Sequence, residues 1–275
     1  MKIQVVHIRP ANNPHAEGLR EVAETLFYAA LALGHDVNLA HNVLDAKRLN
    51  IVVGWHLLAP ATLHRYVLGH SVALYNLEQL AATGLADRFA AASWSCATWD
   101  YSPRNVDALR GCDVKQTPLC VPLGHVPEMT QITLGDGLTD VLFYGSINAR
   151  RSAVLDGLRK RGLNVSHLFG VYGRRRDAEI ATAKVVLNMH NYDTQIFEVV
   201  RCSYLWSNRV CVVAECNGDA PYPGAARFVP YDDLVDACVA LVIDPTERAR
   251  QAQAGFDTGG ATSMADHLRD ALLTM

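Results

Sequence analysis

The strongest constraint in this chain is an alternation that runs twice. Short apolar runs alternate with stretches of helical periodicity, stop at a segment rich in proline and glycine, and begin again. Ile3 to Ile8 reads as a strand. After a polar loop with two prolines, residues 16–33 place Leu19, Val22, Ala23, Leu26, Phe27 and Ala30 on one helical face, and Gly34 stops that helix. Further apolar runs fall at 37–40, 50–54, 71–75 and 97–101. Strands that are apolar end to end are covered on both faces, so the pattern predicts a mostly parallel sheet between helices.

Pro118, Pro122, Gly124, Pro127, Gly135 and Gly137 then puncture residues 117–139, and no periodicity survives there. That is the composition of a connection between lobes. The restart predicts strands at 140–145, 165–170, 184–189, 210–214 and about 226–229. It predicts helices at 150–161, 174–183, 195–207, 231–243, 245–255 and 262–273. The expected fold class is α/β, with two Rossmann-like lobes facing an interdomain cleft. Residues 1–120 form the N-terminal lobe, 121–139 the linker and 140–275 the C-terminal lobe.

Composition narrows the function classes. Half of the 275 residues are hydrophobic and 19% are charged, the balance of a soluble globular protein. A net charge of −3 argues against a dedicated nucleic-acid binder, although Arg174-Arg175-Arg176 is a local basic patch. No apolar run approaches the roughly 20 residues of a membrane span. MKIQVVHI reads as a strand, not a signal peptide. Seven scattered cysteines without a C-x-x-C pair suit a reducing cytoplasm and argue against a zinc site. His-x-x-x-His is also absent, so no metal site is expected.

Polar and aromatic groups recur where predicted strands end, which is where open α/β sheets bind ligands. Gly145-Ser146 followed by Arg150-Arg151 closes the first strand of the second lobe. Glycine admits close backbone approach, a helix N-terminus offers free N–H groups, and arginine adds charge-assisted hydrogen bonds, so the segment suits a phosphate. It equally suits a plain strand–helix turn with a solvated arginine pair. Phe169-Gly170-Val171-Tyr172-Gly173 is either a tight turn or a place where a base or sugar lies against Tyr172. Arg174 to Arg176 read either as a solvated helix start or as a source of one arginine that reaches a phosphate. His190 and Asn191 either cap a helix or hold diphosphate or sugar hydroxyls. Glu198 and Arg201, three apart, either pair on a helix surface or divide ribose and phosphate between them. In the first lobe, Glu17 follows the first strand, His56 the third and Glu78 the fourth. These are the residues there able to do acid–base work. Neither G-x-G-x-x-G nor a P-loop occurs, which disfavours NAD chemistry and Walker-type ATP hydrolysis.

The segments 140–151, 169–177, 185–190 and 197–205, in that order, resemble the donor-binding lobe of bacterial group 1 glycosyltransferases of the GT-B fold. The likeness covers about 75 residues well. The first lobe follows more loosely, through Glu17-Gly18 and Tyr75-Asn76-Leu77-Glu78-Gln79. The resemblance implies transfer of a sugar from a nucleotide-diphosphate sugar, UDP-sugar first, to an acceptor hydroxyl. It implies no cofactor and no essential divalent metal. Gly145, Ser146, Arg150 and Arg151 would hold the diphosphate. Tyr172, His190, Asn191, Glu198 and Arg201 would contact nucleoside or sugar, and Glu17, Glu78 and His56 would meet the acceptor. The acceptor stays open among a glycan, a small molecule and modified DNA. Two alternatives are a phage-type enzyme acting on modified DNA bases and a GT-B-like binding module without catalysis. One departure bears on the site. Group 1 enzymes carry two glutamates eight positions apart. Aligning Asn208 and Val210–Val213 with the family's turn and strand puts Ser203 at the second position, and Glu198 stands at neither.

Overall fold

The computed structural model describes all residues except 192–195, 217, 219 and 221. The chain forms two compact units, Met1–Glu128 with Ser263–Met275, and Met129–Thr262.

The first unit is built on six strands: β1 (Lys2–His7), β2 (Asp36–His41), β3 (Leu49–Val53), β4 (Ser71–Asn76), β5 (Ala97–Asp100) and β6 (Leu119–Cys120). They pair in parallel in the order β2-β1-β3-β4-β5-β6. β3 is buried along its whole length, and β1 and β4 are buried beyond their first residue. β2, at the edge, alternates instead. This is the burial that continuous and interrupted apolar runs predict. Helix Arg20–Ala32 covers the sheet with Val22, Ala23, Leu26, Ala29 and Ala30.

The second unit repeats the plan with β7 (Thr139–Tyr144), β8 (Val165–Leu168), β9 (Ala183–Asn188), β10 (Val212–Glu215) and β11 (Arg227–Val229). Their order is β11-β10-β9-β7-β8, again with parallel pairing. Phe143, Val185, Leu187 and Val213 pack beneath Leu155, Leu158, Leu234, Cys238 and Leu241 of the covering helices. In both units the first strand lies between the second and the third. The chain therefore leaves to opposite sides after the first strand and opens a crevice beyond the carboxyl ends of β1 and β3, and of β7 and β9. Such switch points are where ligands bind in open α/β sheets.

The C-terminal boundary differs from the sequence expectation. Helix Met264–Leu272 belongs to the first unit and packs on helix Arg20–Ala32. Its apolar stripe of Met264, Leu268 and Ala271 is buried there. Gly124 makes the approach possible, because a Cβ on it would lie 2.5 Å from the Met264 amide nitrogen. Periodicity revealed the stripe but not the surface that would cover it.

The proline- and glycine-rich stretch is also not a free tether. Val121, Leu123 and Val126 are buried in the first unit. Met129 to Ile132 dock in the second. There Asn208 Oδ1 accepts from the backbone N–H groups of Gln131 and Ile132 at 2.7 and 2.8 Å, and its Nδ2 donates to Met129 O at 3.0 Å. The expected helix at 195–207 runs from Val199 to Ser207, and residue 195 lies outside the described residues. Among the described residues, no helix is long and apolar enough to cross a membrane.

Candidate functional site

In the second unit, β7 delivers its chain end through Gly145. The φ of 145° there is a conformation that favours glycine. A Cβ would lie 3.4 Å from Arg201 Nη2 and 3.8 Å from Arg151 Nη1. The turn thus passes directly over two guanidiniums. His167 of β8 fixes it with Nε2 on Gly145 O at 2.8 Å and a ring stacked on Phe143. Asn148 then caps helix Ala149–Lys160 by accepting from Arg151 N–H at 2.9 Å, while its Nδ2 donates to Asn191 O at 2.7 Å. The loops after β7 and β9 are thereby joined.

Arg151 is 4% exposed and donates to three backbone carbonyls: Ser146 at 3.0 Å, Met189 at 2.7 Å and His190 at 3.2 Å. Burial first, and the neighbouring Arg201 charge second, push its guanidinium down to about 10, so it stays charged at neutral pH. Arg150 is placed differently. It forks onto the fully buried Glu215 at the end of β10, with Nη1–Oε2 at 2.7 Å, and stacks 3.9 Å over the Tyr231 ring. Glu215 also accepts from the His190 N–H at 3.0 Å.

A second chain of contacts crosses the same crevice. Glu198 accepts from Asn188 Nδ2 at 2.9 Å and pairs with His190 Nδ1 at 3.0 Å. Asn188 Oδ1 accepts from Arg201 Nη1 at 3.0 Å, and Arg201 lies 4.8 Å over the Tyr144 ring. Burial alone would raise the Glu198 carboxyl. His190, Arg201 and Asn188 outweigh it and hold the group below its ordinary value. Three guanidiniums (Arg150, Arg151, Arg201) thus meet two carboxylates (Glu198, Glu215), leaving one positive charge in excess beneath a glycine turn and a helix N-terminus. Charge and backbone donors so arranged are able to hold an anion.

The structure therefore brings together Gly145, Ser146, Arg150, Arg151, His190, Asn191, Glu198 and Arg201. Tyr172 is half-buried at the start of helix Gly173–Ala181. Arg176 is not solvated, in contrast to the sequence expectation. It is buried against Asp177, Tyr144 and Tyr204, because an arginine one turn into a packed helix faces the sheet. Asn188, Asn148, His167 and Glu215 were not legible as site residues. Asn188 and Glu215 each close an apolar run with a polar residue at a strand's last position, a usable signal because a buried polar group needs a partner.

In the first unit, the three acid–base candidates fall into two groups. Glu17 forms an ion pair with Arg9 beyond the end of β1. His56 and Glu78, beyond β3 and β4, face each other with Nε2–Oε1 at 3.4 Å. Burial first, then Arg88, lower the His56 imidazole against the opposing pull of Glu78. Among the described residues, no hydrogen bond or ion pair joins Glu17 to the other two.

A buried network underlies the His56–Glu78 pair. Trp55 Nε1 donates to Asn76 Oδ1 at 3.2 Å, Asn76 Nδ2 to Asp100 Oδ2 at 2.7 Å, and Asn105 Nδ2 to Asp100 Oδ1 at 3.0 Å. Asn76 and Asn105 both also donate to Glu78 O. Asp100 is fully buried. Its burial outweighs these hydrogen bonds and the Ser102 N–H, and it raises the carboxyl to about 7.

A carboxyl raised in the folded state holds its proton more tightly there than in the unfolded chain. Its contribution is therefore full below about 4 and falls by roughly 4 kcal/mol as pH climbs to about 7. Burial of His7 and His56 pushes the other way. The difference between wild type and Asp100→Asn isolates this group. The stability gap in denaturant melts should narrow from pH 5 to pH 8, and a gap that stays constant contradicts the assignment.

The geometry of both units matches solved structures over nearly the whole chain. A glycosyltransferase involved in avilamycin A biosynthesis, AviGT4, superposes with a TM-score of 0.61 at 16% identity, covering 98% of this chain and 96% of that one. T4 phage BGT in complex with its UDP-glucose substrate gives 0.55 at 12% identity, covering 100% and 97%. The fold is GT-B. TarM shares it with a TM-score of 0.57 at 10% identity, over 83% of this chain and 55% of that one. The GT-B assignment agrees with the fold expected from sequence. No protein-family model matches the chain.

Its sequence relatives include three uncharacterized proteins of Acanthamoeba polyphaga mimivirus. L138 is 35% identical over 103 residues, L140 is 27% identical over 165 and R358 is 25% identical over 217. The matches take in 12%, 52% and 73% of those proteins and 35%, 54% and 73% of this chain. The chain thus spans about an eighth of L138 and half of L140.

Proposed function

We propose that this GT-B chain is a glycosyltransferase that moves a sugar from a nucleotide-diphosphate sugar to an acceptor hydroxyl. The observation that carries the reading is the excess positive charge of Arg151 and Arg201 under Gly145, at the β7/β9 switch point of the second unit. The diphosphate lies over Gly145-Ser146 and the N-terminus of helix Ala149–Lys160 and takes Arg201 as its cationic ligand. Arg151 acts from beneath as fixed charge, and Arg150 holds the scaffold through Glu215. UDP is the favoured nucleotide, because T4 phage BGT was solved with UDP-glucose. Tyr172 and Asn191 border the nucleoside. Guanidiniums take the part of a divalent metal, no cofactor is needed, and the setting is cytoplasmic. Stabilisation of the leaving diphosphate carries much of the rate. The His56–Glu78 pair meets the acceptor, with Glu17 beside Arg9 on the same carboxyl edge of the first unit.

The test is calorimetry of the full chain against UDP-, GDP- and TDP-sugars, with and without EDTA. Binding of at least one donor, unaffected by EDTA, is expected. No binding and no donor hydrolysis across the panel would sink the reading. The near-complete overlap with T4 phage BGT also keeps a phage-type enzyme acting on modified DNA as a second reading. Salt-sensitive retention on DNA supports it, and no retention at low salt removes it.

A further inference from the structure

We propose that His190 is the proton donor to the leaving diphosphate, and that Glu198 is the positioning residue that aims it and not a ribose ligand. This role rests on the donor reading above. His190 is 3% exposed, and the fold fixes it through three parts of the residue. Its N–H is held by Glu215 at 3.0 Å, its carbonyl by Arg151 at 3.2 Å and Arg150 at 3.3 Å, and its ring Nδ1 by Glu198 at 3.0 Å. Nε2 is the one polar atom of the residue without a partner among the described residues. That atom is not sealed from solvent, so a ligand in the crevice can reach it.

Glu198 fits the positioning role better than the ribose role. Its carboxylate is already used by the imidazole and by Asn188, whose own oxygen takes Arg201. A ribose hydroxyl would compete with the charge-assisted hydrogen bond that already orients the carboxylate. The same arrangement explains why Glu198 stands outside the family's glutamate register, since its spacing is set by His190 eight residues before it. The charged groups around the imidazole are Arg150, Arg151, Arg201, Glu198 and Glu215. A bound diphosphate adds negative charge to this set and draws a proton to Nε2.

In the transfer step, the bond between the sugar's anomeric carbon and the phosphate oxygen breaks, and its electron pair stays on that oxygen. The Nε2 proton moves to the same oxygen. The acceptor hydroxyl oxygen bonds to the anomeric carbon, and its proton passes to water. The nucleotide leaves with that proton, and His190 takes up the next one from water when the next donor binds. A positioned acid of this kind is worth about 10²–10⁴ in rate.

The experiment is calorimetric titration of the full chain with UDP at pH 8, in buffers of different ionisation enthalpy. The wild type should take up a proton on binding. His190→Gln should still bind, about 10-fold or more weakly, without uptake. Glu198→Gln should show reduced uptake, with Glu198→Asp restoring part of it. Uptake, unlike a melting temperature, does not respond to a merely structural role. If the His190→Gln chain does not fold, His190→Asn takes its place. Binding by the wild type without uptake, or equal uptake by the His190 variant, overturns the role. Failure of the wild type to bind either UDP or inorganic pyrophosphate overturns the donor reading, and this role with it.

Discussion

Replacing Glu215 by alanine should destabilise the second unit by about 3–5 kcal/mol, a large part of the 5–15 kcal/mol that keeps a domain folded. The carboxylate is fully buried and satisfies the forked Arg150 guanidinium and the His190 N–H together. Its removal leaves a half-buried cation without its carboxylate and a buried N–H without its acceptor, and the cost of stranding them exceeds the net worth of the pair itself. Glu215→Gln keeps the shape and one acceptor and should cost less. Urea unfolding of the three proteins measures the difference. A loss under about 1 kcal/mol for the alanine variant would mean that water reaches Arg150 and that the clamp is not structural.

Arg201→Ala should weaken UDP binding about 100-fold with little change in stability. Charge-assisted hydrogen bonds to phosphate are worth about 1.5–3 kcal/mol, and a tenfold change in affinity corresponds to about 1.4 kcal/mol. Among the described residues the guanidinium, beside Gly145, hydrogen-bonds Asn188 and lies over the Tyr144 face, and Glu198 keeps His190 and Asn188 as partners after its removal. Arg201→Lys should recover part of the loss through charge but not the forked geometry. Equal UDP affinity for wild type and the alanine variant in calorimetry would remove Arg201 from the donor site.

Most of the sheet was legible in the sequence, and the physical reason is plain. Parallel strands buried on both faces leave apolar runs such as Val185 to Leu187 with little ambiguity. Their carboxyl ends supplied the candidate residues, and Gly145, Arg151, His190, Glu198 and Arg201 do converge. Partnership was not legible. Adjacent Arg150 and Arg151 look alike in sequence, yet one serves Glu215, 65 residues away, and the other three carbonyls. Asn188, Asp100 and Glu215 lie at or near the ends of apolar runs, and only three-dimensional contacts show each as a hub. The last helix shows the same limit at the scale of a unit. Amphipathicity demands a covering surface, but the pattern does not say that Arg20–Ala32, more than 200 residues earlier, provides it.

The most direct measurement is a crystal structure of the chain soaked with UDP. Diphosphate density is expected over Gly145-Ser146, within hydrogen-bond distance of Arg201 and of His190 Nε2, with Arg150 still on Glu215. Nucleotide bound away from the β7/β9 crevice, or a crevice still empty at saturating UDP, would contradict it.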